Sequence, residues 1–157
     1  MARGPLSTDA PPEHCLVEIL NAEGEAVGKG VVASEKTVVT CAHVVNEALG
    51  RDLRTVIDPR ADVVPRGEIM VRFPYSGAPG DDIKRPMRIR TWLPGRPETF
   101  DYRDAVSLGM DERIPDGATI ATLVDANYRA GSVTLFGLRP RGATTGASAY
   151  VTGQFLG

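Results

Sequence analysis

The sequence predicts a mainly β protein, a sandwich or barrel of short antiparallel strands. Two observations carry that expectation. Short β-type runs recur along most of the chain, separated by glycine, proline, asparagine and aspartate. No long amphipathic helical pattern occurs, and neither an internal repeat of fixed period nor a low-complexity block points to a solenoid or propeller.

The elements follow in chain order. Residues 1–12 carry two adjacent prolines and few apolar groups, too few to offset the entropy of ordering them, and are expected to be a flexible tail. Cys15-Leu16-Val17-Glu18-Ile19-Leu20 and Ala26 to Ala33 are β-type runs joined by the turn-forming Asn21-Ala22-Glu23-Gly24-Glu25, which predicts a hairpin. Lys36 to Thr40 is a third run after the polar turn Ser34-Glu35. Ala42 to Leu49 has the alanine, leucine and glutamate content of a short helix, with Gly50 placed to cap its C-terminus.

Residues 51–67 are irregular and polar. Glu68 to Phe73 and Met87 to Leu93 then alternate with the two-residue period of half-buried strands, on either side of the Gly, Pro and Asp-rich segment Tyr75 to Asp82. Asp104 to Leu108 is the sixth strand, and Arg113 to Gly117 a connection. Beyond it lie Thr119 to Val124, Ser132 to Phe136 and Ala147 to Phe155. Six antiparallel strands can close into a small barrel that leaves no exposed edge, whereas the last three are too few to close another. The expected domains are the tail at 1–12, a first barrel at 13–116 and the opening strands of a second barrel at 117–157.

Composition narrows the function. Eighteen basic and twenty acidic residues leave a formal charge of −2, so no global field favours nucleic acid or an anionic membrane. The apolar stretches are far shorter than the ~20 residues of a membrane helix. The N-terminus lacks the apolar core of a secretion signal, and a cytoplasmic setting is expected. Abundant alanine, glycine, arginine, valine and proline fit a high-GC bacterial source. Cys15 and Cys41 form no Cys-x-x-Cys pair and are expected to be buried thiols outside any disulfide.

The chemistry centres on Thr40-Cys41-Ala42-His43-Val44-Val45, which sets a histidine at the end of an apolar strand. General-base catalysis needs an imidazole near a nucleophile, with a carboxylate on its other nitrogen to fix the tautomer and stabilise the imidazolium. His43 and Asp104 suit these roles, and their separation of 61 positions requires a folded barrel to join them. Asp101 is the rival carboxylate, but Tyr102-Arg103 follows it rather than an apolar run. A lone histidine is more often structural than catalytic, so the setting has to make the case.

That setting resembles the trypsin-like (chymotrypsin-fold) serine peptidases. Gly28-Lys29-Gly30-Val31-Val32, Thr40-Cys41-Ala42-His43-Val44-Val45 and Asp104-Ala105-Val106-Ser107-Leu108 are similar to the family's Gly-x-Gly-Val-Val strand, Thr-x-Ala-His-Val-Val segment and Asp-x-Ala-x-Leu type strand. Gly131 to Gly137 and Ala149 to Gly153 look like the opening strands of its second barrel. The resemblance implies a six-stranded antiparallel Greek-key barrel followed by an incomplete second barrel. It also implies His43 as general base and Asp104 as its orienting carboxylate, no cofactor or metal, and protein or peptide substrates.

The departure concerns the nucleophile. The family's serine lies in a Gly-x-Ser-Gly turn whose backbone amides form the oxyanion hole, and no such turn occurs here. The serines are Ser7, Ser34, Ser76, Ser107, Ser132 and Ser148. Loss of the nucleophile in a comparable triad costs on the order of 10⁶ in kcat, so this chain alone is expected to be essentially inactive. Two explanations stand. The chain is a stretch of a longer peptidase whose C-terminal part holds the serine, favoured because 153–157 end within strand-like sequence, or it is a catalytically dead module that binds or regulates another protein.

Other readings of these residues are weaker. His14, Cys15, Cys41 and His43 invite a zinc site, but adjacent strand residues face opposite ways, so His14 and Cys15 hardly share an ion. Lys84 to Arg90 with Trp92 invites nucleic acid, yet arginines alternating with Met87, Ile89 and Thr91 describe one solvated strand face. Gly28 and Gly30 lack the later glycine and lysine of a phosphate loop and instead permit tight strand packing.

Overall fold

The computed structural model describes residues 11–51, 64–94 and 104–121, together with the backbone of 132–136 and 150–154. A 3₁₀ turn at Pro12–Cys15 leads into β1 (Leu16–Leu20), β2 (Ala26–Ser34) and β3 (Thr37–Thr40). Helix α1 (Ala42–Ala48), β4 (Glu68–Arg72), β5 (Lys84–Leu93) and β6 (Ala105–Gly109) follow. The strands close an antiparallel barrel in the order β1-β2-β3-β6-β5-β4. β1 to β3 are consecutive neighbours and β4 returns beside β1, the spatial order 4-1-2-3 of a Greek key.

Side-chain alternation explains the closure. Val17 and Ile19 of β1, Val32, Val38, Ile69, Val71, Met87, Val106 and Leu108 all point inward and are at most 1% exposed, while Met70 between two of them is 38% exposed. One face of every strand is thereby committed to the core, which fixes register, because a one-residue slip would turn these groups to water. Phe73 and four residues of α1, Ala42, Val44, Val45 and Ala48, complete the packing.

The outer wall has its own ordering. Glu18 is 7% exposed and lies opposite Lys29 on one side and Arg72 on the other. Its carboxylate accepts from Arg72 Nε at 2.8 Å and pairs with Lys29 Nζ at 3.6 Å. Asp82 extends the network, reaching Arg72 at 3.9 Å and Lys84 at 2.5 Å.

Several boundaries differ from the sequence expectation. β5 begins at Lys84 rather than Met87, since Lys84, Arg85 and Pro86 pair with Arg72, Val71 and Met70 of β4. Pro86 sits before the β5–β6 ladder begins at Arg88, an edge position that tolerates a missing donor. Of the expected run Thr119 to Val124, residues 119–121 form no ladder: Thr119 N–H donates to the His14 carbonyl at 3.1 Å and Ala121 N–H to that of Val32 at 2.8 Å. Two amides tied to two different segments share no register. Residues 122–124 lie outside the described residues.

The helix ends as Gly50 foretells. Gly50 has φ +65°, its N–H donates to the Glu47 carbonyl at 3.0 Å, and Arg51 N–H donates to that of Asn46 at 2.8 Å. These are the two bonds of a Schellman cap. Among the described residues no helix is long and apolar enough to cross a membrane. The chain divides into two compact units, residues 1–121 and 122–157. In the second, β7 (Ser132–Phe136) pairs antiparallel with β8 (Tyr150–Gln154).

Candidate active site

The register between β3 and β6 brings the two predicted site residues together. Val38 pairs with Leu108 and Thr40 with Val106, so each step forward on β3 is a step back on β6. Continued past the last pair, this places Asp104 level with Ala42, the first residue of α1, beside His43. The barrel thus closes a separation of 61 positions with backbone hydrogen bonds alone.

Asp104 holds His43 twice. Its Oδ1 accepts the backbone N–H of His43 at 3.1 Å, and its Oδ2 accepts from the imidazole Nδ1. The first bond also serves the helix. Cys41 occupies the N-cap position of α1 without a side-chain capping bond, so Asp104, the residue before β6, satisfies one of the amides that a helix start leaves unpaired. The second bond fixes the ring. With a carboxylate on Nδ1, the neutral imidazole keeps its proton there and presents a lone pair at Nε2. The His43 side chain is 58% exposed and that of Asp104 is 34% exposed.

A third group belongs to this cluster. Cys41 Sγ, a His43 ring nitrogen and an Asp104 oxygen lie within 4.8 Å of one another. Partial burial raises the Cys41 thiol above its ordinary pKa, and the Asp104 charge raises it further. Sequence reading treats Cys41 as an ordinary buried thiol. Its position two residues before His43 is the only sequence signal of this contact, and it acquires meaning only once β6 sets Asp104 at the helix start.

Packing beneath the pair depends on Gly28. A Cβ added there would stand 2.2 Å from Val44 Cγ1, so the bare backbone of β2 is what lets α1 lie against the barrel with His43 on its first turn. Gly30 is similarly confined: a Cβ added there would stand 2.9 Å from Val38 Cγ1 and 3.0 Å from the Val39 carbonyl oxygen.

The remaining residues of interest lie apart or outside. Asp101, Ser7 and Ser148 fall outside the described residues. Ser34 ends β2, Ser107 lies within β6 and Ser132 heads β7, while Ser76 is buried in the turn after β4. Among the described residues no serine hydroxyl bonds to His43. His14 is not with Cys41 and His43: its Nδ1 donates to the Gly117 carbonyl at 2.9 Å and its ring stacks on Tyr75, tying the 3₁₀ turn to the segment after β6 and to the turn after β4.

No protein-family model and no curated protein matches the sequence. Solved structures do match. One is the crystal structure of the scabies mite inactivated protease paralogue S-D1, with a TM-score of 0.53 and 12% identity over 91% of this chain and 57% of that one. Another is Rv3671c from M. tuberculosis, crystallised as a serine-to-alanine mutant in an inactive form, with a TM-score of 0.50 and 16% identity over 97% of this chain and 58% of that one. The chain therefore spans less than two thirds of the length of either. At these identities the likeness establishes the fold alone, a mainly β architecture with a closed six-stranded antiparallel barrel.

Proposed function

We propose that this chain carries the proton-relay half of a trypsin-like serine endopeptidase that hydrolyses proteins or peptides, with residues 117–157 opening the second barrel. His43 is the general base. Its Nε2 takes the proton of an attacking serine hydroxyl and returns it to the leaving amine, while Asp104 holds the ring and stabilises the imidazolium formed in between. The serine and the oxyanion amides are not supplied by any Gly-x-Ser-Gly within the 157 residues. Hydrolysis therefore belongs to a protein in which this chain is joined by such a turn.

The observation that carries the proposal is the double hold of Asp104 on His43 through the backbone N–H and the ring Nδ1. A merely structural aspartate would need only the first bond. The second aims an exposed imidazole outward in the one tautomer that leaves Nε2 free to accept a proton.

A fluorophosphonate probe tests it on the full gene product. Covalent labelling that is lost in His43→Ala supports the peptidase. No labelling of the correctly folded product supports the alternative, a catalytically dead trypsin-like module that binds or regulates another protein. The missing nucleophile turn is the specific observation favouring that second reading.

A further inference from the structure

We propose that Cys41, His43 and Asp104 form a binding site for a thiophilic divalent cation of the Zn²⁺ class, and that the cation and the proton relay exclude one another. Proton transfer assigns no role to Cys41, yet its sulfur shares one small space with the two relay groups, all three donor atoms lying within 4.8 Å. One sulfur, one imidazole nitrogen and one carboxylate oxygen are a donor set that zinc accepts, with a fourth position left for water.

The geometry is close to what the ion needs. Zinc–ligand bonds of about 2.0–2.3 Å place tetrahedral ligand atoms roughly 3.3–3.7 Å apart. Cys41 is the N-cap residue of α1 and His43 lies on its first turn, so two of the three donors come from one short stretch of backbone and all three already lie within 4.8 Å of one another. Asp104 would move from accepting the ring proton to sharing the ion.

Binding consumes the base by either nitrogen. Coordination through Nδ1 displaces the proton shared with Asp104 and leaves the ring protonated at Nε2; coordination through Nε2 occupies the accepting lone pair itself. In both cases the Cys41 thiol gives its proton to solvent and binds as thiolate. The zinc site suggested by His14 and Cys15 in the sequence is thus replaced by a different ligand set. His14 is committed to Gly117 and Tyr75, and Asp104 enters from the residue before β6.

Titrating the reduced chain with Co²⁺ tests the site without requiring any nucleophile. A thiolate-to-cobalt charge-transfer absorption that saturates at one ion per chain, is displaced by Zn²⁺, persists in Cys15→Ser and is lost in Cys41→Ser, whose affinity for cobalt falls at least about tenfold, supports it. In the native chain, Zn²⁺ must also shift the His43 ring ¹⁵N resonances. Absence of the absorption from the native chain, its survival in folded Cys41→Ser, or His43 resonances unmoved by Zn²⁺ would overturn the proposal. Suppression of fluorophosphonate labelling by Zn²⁺ is the further consequence that rests on the peptidase reading. If labelling never occurs while cobalt binds, that reading fails and the metal site stands.

Discussion

Val44 stands where the β-carbon of residue 28 would be. Its Cγ1, Cγ2 and Cβ lie 2.2, 2.6 and 3.0 Å from that point, the first two closer than non-bonded carbons can rest. Gly28→Ala therefore forces α1 away from β2, and overpacking of this kind costs about 1–3 kcal/mol. The displaced residue is the immediate neighbour of His43, so the same substitution also loosens the hold of Asp104 on His43. Val44→Ala removes the obstructing methyls. Denaturant unfolding of both single mutants and the double mutant should show a favourable coupling above about 0.5 kcal/mol, whereas additive losses would remove Val44 as the cause.

The proposed relay gives Asp104 a chemical duty beside its structural one, and substitutions separate the two. An asparagine side chain at this position could still accept the His43 amide, so Asp104→Asn should lose only a few tenths of a kcal/mol, while Asp104→Ala should lose about 1 kcal/mol with the cap. The asparagine amide, however, donates to Nδ1 and drives the ring proton to Nε2. Fluorophosphonate labelling of the full gene product should then fall about 10⁴-fold in both variants, a loss that stability does not track.

The fold was largely legible because strand alternation and turn residues report burial directly. Ile69, Val71, Val106 and Leu108 are inward where the two-residue period puts them. The start of β5 was not, since Lys84, Arg85 and Pro86 break the apolar alternation and gain their place only by pairing with β4. The short 3₁₀ turn at Pro12–Cys15 had no periodic signal at all. His43 and Asp104 could be named from their local segments. Their contact, and the entry of Cys41 into it, depend on the β3–β6 register, which no local pattern encodes. Glu18 is the same case, an acid in an apolar run whose two basic partners sit 11 and 54 positions away.

That wall network makes a second stability prediction. Removing the carboxylate leaves Arg72 and Lys29 facing each other across a buried gap, and breaking a buried pair on one side costs about 3–5 kcal/mol. Arg72 is 29% exposed and Lys29 15% exposed, so water recovers part of this. Glu18→Ala should therefore lose about 2–3 kcal/mol by urea unfolding. A loss under about 0.5 kcal/mol would show that the carboxylate is solvated and the network incidental.

Cys41 should alkylate slowly at neutral pH, because burial first and the Asp104 charge second hold its thiol protonated. The rate rises with pH as the thiolate forms. Asp104→Asn removes the second cause and lowers the thiol pKa, so iodoacetamide modification at neutral pH should become faster. The raised value also implies a contribution to stability that is complete below the unfolded-state thiol pKa and is lost as pH rises through the folded-state value. A rate in Asp104→Asn equal to or below that of the native chain would contradict the electrostatic part.

The proposed proton relay requires the neutral His43 imidazole in one tautomer, and ¹⁵N NMR of its ring in the metal-free chain reads that state most directly. The expected spectrum has a protonated Nδ1 with a strongly downfield proton and an unprotonated Nε2. A ring protonated at Nε2, or one averaging between tautomers with no bonded Nδ1 proton, would contradict it.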